Sequence, residues 1–185
     1  MKSNRTLVFS LIMLVLVCSL YRVMPRPFGF APQIAMTIFC GAVIRNRIWA
    51  FALPVISMLI SDCIYQVLYA QGLSNIQGFY SGMWQNYLLI ASLTLLPILL
   101  GKLSATDIGI LSLVSPTIYF LISNLLVWAS GSGLGRAKTF SGLMQSYVDG
   151  LPFYGYSILA AIFFSGLFFG VHYLLRRTFT KPAIA

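Results

Sequence analysis

The feature that most constrains this chain is a long apolar segment, residues 48–70, that carries a single carboxylate, Asp62. A transmembrane helix needs about 20 consecutive, mainly apolar residues, and this segment is long enough. A charge at the centre of such a helix costs at least about 2.5 kcal/mol, so an acid there usually faces protein or water and has a function. We therefore expect Asp62 to be a functional residue within a membrane-spanning helix.

The composition indicates an integral membrane protein. Of the 185 residues, 59% are hydrophobic and 8% are charged, and the mean hydropathy is +0.89. Twelve Lys and Arg against three Asp give a net charge of +9. They occur singly or in pairs at the ends of apolar runs, which is typical of topology signals and not of a nucleic-acid surface. We therefore expect a lipid bilayer as the surroundings and no nucleic acid as a partner.

The N-terminal apolar run begins directly after MKSNR and resembles a signal peptide with a lipoprotein cysteine, Cys18. The residue before this cysteine is Val17, where a small residue is required, and the run continues to Tyr21. We therefore expect a retained first helix. Cys18, Cys40 and Cys63 have no metal-ligand spacing, so we interpret them as small core residues.

Six apolar runs predict six transmembrane helices in a single domain, residues 1–185. Five runs have sufficient length, whereas the second is short and lies between Pro32 and Arg45. The predicted fold is an all-α membrane protein, with a short amphipathic helix in the last outer loop. The predicted spans are about residues 6–24, 31–44, 48–70, 85–103, 108–130 and 153–175.

The basic residues predict the orientation of these spans. With six spans both termini share a face. That face receives Lys2, Arg5, Arg45, Arg47, Lys102, Arg176, Arg177 and Lys181, and the other receives Arg22, Arg26, Arg136 and Lys138. The positive-inside rule then places both termini in the cytoplasm, in a bacterial inner membrane. Arg22 and Arg26 lie on the less basic face, against the rule, so they are candidate functional residues.

Asp62 begins a polar stripe on the third span. Helical spacing places Tyr65, Gln66 and Tyr69 on the same face. This pattern is typical of a cavity that opens to the outside, so Asp62, Tyr65 and Gln66 are candidate ligand-binding residues. Alternatively, Asp62 is structural and pairs with backbone amides or an arginine. The tyrosines would then form an aromatic belt at the membrane interface, which is the favoured interpretation for Tyr69.

The outer connections, about residues 22–33, 71–84 and 131–152, are long and rich in aromatic residues, which favours binding loops or lids. Arg26 and Phe28 in the first connection are candidate site residues. Arg26 would neutralise Asp62 or meet an anionic ligand, or else it extends to the lipid headgroups.

The fifth span ends with Asn124 and Trp128 on one face. An asparagine in lipid needs a partner, either another helix or a ligand, and Trp128 alone is often an interfacial anchor. The next loop predicts an amphipathic helix that starts at Thr139, presents Tyr147 and ends at residues 150–152. This helix would form a lid over the outer opening of the cavity or lie on the lipid headgroups.

Small residues predict where helices pack closely. Gly41 lies in the second span, and Gly166 and Gly170 form a GxxxG pair in the sixth. In a protein with a partner, such a face is also a potential docking surface.

Motifs for enzymatic chemistry are absent from the sequence. It has one histidine and no HExxH, GxSxG, phosphate-loop or catalytic-cysteine pattern. We therefore expect no enzymatic activity, no cofactor and no bound metal.

Several segments carry a family resemblance: RPFGFAPQIAMTIFCGA, the ISD triplet that ends at Asp62, SNLLVW at 123–128, KTFSGLMQSY, and GLPFY at 150–154. They resemble an uncharacterised family of bacterial inner-membrane proteins over nearly the whole chain. Members often carry Gly at the position of Cys40 and Thr at that of Ala31. The family and its layout are in turn similar to the substrate-binding S components of energy-coupling factor (ECF) transporters.

This resemblance implies a subunit that binds a small water-soluble nutrient, such as a vitamin or its precursor, near the outer surface. It further implies a membrane coupling protein and two cytoplasmic ATPases as partners. Two alternatives remain open. One is a membrane scaffold or assembly subunit without transport activity, and the other is a stand-alone proton-coupled carrier with Asp62 as the proton site.

Overall fold

The computed structural model describes the backbone of residues 2–131 and 134–179, and the side chains of residues 10–131 and 134–175. Within these residues the chain is helical and has no strand. The helices are α1 (Lys2–Val23), α2 (Gln33–Val43), α3 (Arg47–Ala70), α4 (Met83–Leu93), α5 (Leu95–Leu100), α6 (Ala105–Ser130) and α7 (Phe140–Phe179).

Helices α4 and α5 form one kinked rod, Met83–Leu100. Pro97 lacks the N–H group that would bond to the carbonyl of Leu93, and Leu93 is the residue at which α4 ends. Thr94 between them keeps a helical backbone, with φ −64° and ψ −20°. The kink therefore follows directly from the proline.

Four helices are long and apolar enough to cross a membrane. They are Arg47–Ala70, Met83–Leu100, Ala105–Ser130 and Phe140–Leu175. Two apolar helices are shorter, Ser10–Val23 and Gln33–Val43. Every residue from Gln33 to Gly41 is buried, so α2 lies inside the helical bundle. This arrangement is consistent with a multi-pass membrane protein.

Helices α1 and α3 run parallel to each other. The Ser19 hydroxyl donates to the carbonyl of Ser57 at 3.0 Å, and one turn further along both helices Arg22 contacts Asp62. Because α2 returns the chain between them, the C-terminal ends of α1 and α3 lie at the same end of the bundle.

Three connections lie at that end, which we call the loop end: residues 24–32, 71–82 and 134–139. The third belongs to a hairpin in which α6 and α7 are antiparallel, with Thr117 and Tyr154 hydroxyls 2.8 Å apart. The sequence prediction that the long connections share one end of the bundle agrees with this geometry.

The prediction of a separate amphipathic helix in the last loop is wrong at its C-terminal end. The helix starts as expected, because the Thr139 hydroxyl accepts from the Gly142 amide at 3.2 Å. It does not end at Gly150 or Pro152, and α7 continues to Phe179. A Cβ added at Gly150 would lie 2.5 Å from an Asn124 side-chain oxygen, so this glycine permits close approach of two helices.

The predicted small-residue contacts divide into two kinds. A Cβ added at Gly41 would lie 2.5 Å from Cγ of Pro97 and 2.7 Å from the carbonyl oxygen of Thr94. Gly166 and Gly170 on α7, by contrast, have no heavy atom of another element of the described chain within 4 Å of an added Cβ. The first contact packs α2 against α5, whereas the GxxxG pair has open space beside it within the part of the chain that the structure describes.

We predict that Gly41→Ala destabilises the fold by about 1 to 3 kcal/mol, because the methyl group has no space between α2 and α5. Gly166→Ala is the matched control and should leave the stability unchanged or slightly raised, since a helical Gly→Ala change is favourable where there is space. Thermal unfolding in detergent compares the two variants. Equal losses of stability would contradict the packing described above.

Candidate functional site

A buried carboxylate on one helix is bonded to side chains from two other helices. Asp62 on α3 is 1% exposed. One of its oxygens forms an ion pair with Arg22, in the last turn of α1. The other accepts a hydrogen bond of 2.6 Å from the hydroxyl of Tyr87 on α4. Since both oxygens have partners, the charge is accommodated inside the protein.

Arg22 is held by further contacts along α3. Its guanidinium donates to the Ser61 hydroxyl at 2.6 Å, and its centre lies 5.8 Å from the centroid of the Tyr65 ring. The Tyr65 hydroxyl donates to the backbone carbonyl of Arg22 at 2.6 Å. Arg22 is therefore fixed in position by both its side chain and its backbone.

Arg26, which the sequence analysis paired with Asp62, has other partners. Its guanidinium donates to the backbone carbonyls of Arg22 and Phe30, both at 3.2 Å. Burial lowers the pKa of Arg26 from its ordinary value, chiefly through loss of water around the charge. The ion-pair partner of Asp62 is thus Arg22, four residues earlier in the chain.

A cavity of about 400 Å³, which we call the loop-side cavity, lies between the ion pair and the connection 71–82. It is lined by Arg22, Asp62, Tyr65, Tyr69, Asn75, Ile76, Gln77 and Tyr80. Two predicted site residues, Asp62 and Tyr65, line this cavity. Among the described residues no group of three His, Cys, Asp or Glu side chains is placed to hold a metal ion.

The connection 71–82 is folded back onto α3 and covers this cavity. A Cβ added at Gly78 would lie 1.8 Å from the carbonyl oxygen of Asp62, so only glycine permits this approach. The Phe79 amide donates to the side-chain oxygen of Gln66 at 3.2 Å. The predicted site residue Gln66 therefore positions the covering loop.

A second cavity of about 170 Å³ lies on the other side of Arg22, and we call it the Gln33 cavity. Gln33, in the first turn of α2, is 4% exposed and lines it. Neither its amide nitrogen nor its amide oxygen has a hydrogen-bond partner among the described residues. A buried polar group without a partner costs about 1 to 3 kcal/mol, so this amide calls for an explanation.

A hydrogen-bonded chain of three side chains stands between the two cavities. The Tyr119 hydroxyl on α6 donates to the Asn86 side-chain oxygen at 2.7 Å, and the Asn86 amide donates to the Tyr80 hydroxyl at 2.9 Å. Burial raises the pKa of Tyr80, which lies outside the helices. The chain connects α6 and α4 to the covering loop.

Two other predicted site residues lie in the contact between α6 and α7 and line neither cavity. The Asn124 amide donates to the carbonyl of Phe120 at 2.8 Å, and its side chain packs against Gly150. The Tyr147 hydroxyl donates to the carbonyl of Leu121 at 3.2 Å. The Asn124 amide therefore bonds to the backbone of its own helix, while its side chain packs against α7 at Gly150.

Trp128 and Phe28 also lie outside both cavities. The Trp128 indole donates to the carbonyl of Ala137 at 2.8 Å and so connects α6 to the loop before α7. Phe28 is 65% exposed, and its ring meets the edge of Phe153 at a centroid distance of 6.3 Å. Both residues make contacts at the surface of the loop end and do not line a cavity.

Sequence reasoning did not assign Gln33, Asn86, Tyr87 or Tyr119 to a site. Arg22 was named as a candidate functional residue, because it lies on the less basic face, but it was not assigned to Asp62. For Gln33 a signal was present: it is a polar residue in the first turn of a helix that is otherwise almost entirely apolar. Such a residue must find a partner in the interior.

We predict that Asp62→Ala lowers the stability by about 3 kcal/mol, because it leaves Arg22, whose side chain is only 15% exposed, without its counter-charge. Asp149→Ala is the control, since Asp149 forms the chain's other described ion pair, with Arg136 at 2.8 Å, in a partly exposed position. Its effect should be much smaller. Thermal unfolding in detergent measures both, and similar losses would contradict the assignment of Asp62 as the buried anchor.

Comparison with known proteins assigns the chain to a family. No curated protein and no solved structure matches it. The model of a family of unknown function, DUF6580, matches residues 2–183. The chain, with its buried ion pair and its two cavities, therefore belongs to the DUF6580 family.

Proposed function

We propose that the protein binds a small water-soluble molecule in the loop-side cavity and is the substrate-binding subunit of an uptake system in the bacterial inner membrane. The observation that carries this proposal is the cavity itself. Its volume of about 400 Å³ lies within the range of roughly 300 to 1,000 Å³ typical of small-molecule sites. It lies at the loop end, under a connection that covers it.

The lining of the cavity favours a ligand with both a ring and polar groups. Tyr65, Tyr69 and Tyr80 supply aromatic surface, and Asn75 and Gln77 supply amide donors and acceptors. The Arg22–Asp62 pair adds a polar floor whose charges are already balanced. A vitamin or a vitamin precursor has this combination of properties.

The proposed topology has six spans, with α4 and α5 counted as one and α2 as a short span within the bundle. The loop end, with Arg22, Arg26, Arg136 and Lys138, would face outwards. The opposite end, with Arg45, Arg47 and Lys102, would face the cytoplasm together with both termini. In this orientation a nutrient outside the cell meets the covering loop first.

Energy for uptake would come from partners in the manner of ECF transporters, which the sequence resembles. The chain has no nucleotide-binding motif of its own. Gly166 and Gly170 present a small-residue face of α7 that no other element of the described chain occupies. Such a face suits close packing with a helix of a membrane coupling protein, which in turn would contact two ATPases.

The open face of α7 also supports the second candidate function, a scaffold or assembly subunit. In that function Asp62 is a structural residue, and its two internal partners favour this interpretation. The third candidate, a proton-coupled carrier, is less favoured, because an acid engaged at both oxygens is poorly placed to exchange a proton with a transported ligand.

We predict that at least one compound in a panel of water-soluble vitamins and their precursors raises the melting temperature of the purified protein. Binding at a hundredfold excess over the dissociation constant adds about 2.7 kcal/mol to the stability. Asn75→Ala and Tyr69→Phe should reduce the shift, because both side chains line the loop-side cavity.

The control is Tyr156→Phe, the same chemical change on the exposed surface of α7. It should leave the ligand-induced shift unchanged. The proposal fails if no compound stabilises the protein, or if the cavity variants and the control respond alike. A stable complex with a membrane partner and no ATPase would then favour the scaffold function.

A further inference from the structure

The Gln33 cavity combines one unpartnered amide with a lining that is partly polar and partly apolar. Both amide atoms of Gln33 are buried and lack a hydrogen-bond partner within the described residues. Ile34, Met58 and Ile90 line the same cavity and supply apolar surface. Arg26, Asn86 and Tyr119 line it as well, and polar groups that converge beside apolar surface are typical of small-molecule sites.

The Gln33 cavity is small, and its size limits what it can hold. A volume of about 170 Å³ corresponds to about five waters at roughly 30 Å³ each, and each buried water needs two to four polar partners. Arg26, Asn86 and Tyr119 line the cavity beside Gln33, but none of them bonds to the Gln33 amide. A single planar ring would replace these waters, contact the apolar part of the lining and place its polar edge on Gln33.

The charge at the cavity favours an anionic ligand. The chain has only three acidic side chains, and each is engaged away from Arg26: Asp62 with Arg22, Asp107 with Ser104 at the start of α6, and Asp149 with Arg136. Arg26, which lines the cavity, therefore has backbone carbonyls as acceptors and no counter-charge from a side chain.

We propose that the Gln33 cavity is a second binding site, for a monocyclic compound that carries a carboxylate and an amide edge. The carboxylate faces Arg26, and the adjacent N–H and C=O groups of the ring pair with the oxygen and nitrogen of the Gln33 amide. This site goes beyond the proposed function, because it requires no ligand in the loop-side cavity and uses residues that do not line that cavity.

Three probes separate the contributions of the two polar contacts. Orotate carries both the carboxylate and the amide edge, uracil carries the edge alone, and benzoate carries the carboxylate alone. Isothermal titration of the full chain in detergent should give affinity for orotate at least about tenfold above that for uracil or benzoate. Gln33→Leu should lower the affinity for orotate by at least about tenfold and leave the affinity for benzoate unchanged.

The matched control is Gln145→Leu, the same change at an exposed position of α7, which should leave all three affinities unchanged. Gln33→Leu removes a buried amide that has no protein partner, so the variant is expected to fold, and its melting temperature verifies this. No binding of orotate at millimolar concentration, or equal binding by wild type and Gln33→Leu, overturns the inference. Neither result bears on the loop-side cavity, which is tested at Asn75 and Tyr69.

Discussion

The ion pair between Arg22 and Asp62 is the interaction on which the rest of the structure depends. Two opposite charges lie inside a bundle whose other contacts are largely apolar, and each would be strongly destabilising without the other. The pair connects α1 to α3, and the Tyr87 hydroxyl extends the connection to α4. These contacts hold the three helices together below the connections of the loop end. Arg22 lines both cavities, one on each side of it.

The two cavities differ in what they offer a ligand. The loop-side cavity is covered by a connection that lies flat on α3 through Gly78, and its lining mixes tyrosines, amides and a neutralised ion pair. The Gln33 cavity is smaller and has one unpartnered amide near an arginine without an acidic side-chain partner. One side chain, Arg22, belongs to both. A molecule bound on either side would therefore contact the group that holds the helices together, which would couple ligand binding to the stability of the bundle.

The sequence predicted the features that depend on local pattern. The apolar segment 48–70 agrees closely with α3, and the expectation that Asp62 faces protein or water agrees with its burial and its place in the lining of the loop-side cavity. Which arginine pairs with it could not be predicted, because Arg22 and Arg26 are only four residues apart and the choice depends on where α1 ends and how it packs against α3. The continuation of α7 past Gly150 was missed for a similar reason, since α6 supplies the packing that makes a glycine useful there. Asn124 has the helical spacing of a site residue, but its partner is the backbone of its own helix.

A double-mutant cycle on Arg22 and Asp62 tests this account most directly. Arg22→Met, Asp62→Leu and the double variant would be compared by reversible unfolding in mixed micelles. The account predicts that the double variant loses less stability than the two single variants together, by about 1 to 3 kcal/mol. The reason is that each single variant leaves one charge of the pair without its partner. Additivity within about 0.5 kcal/mol would show that the two side chains do not interact and would contradict the ion pair as the anchor of the fold.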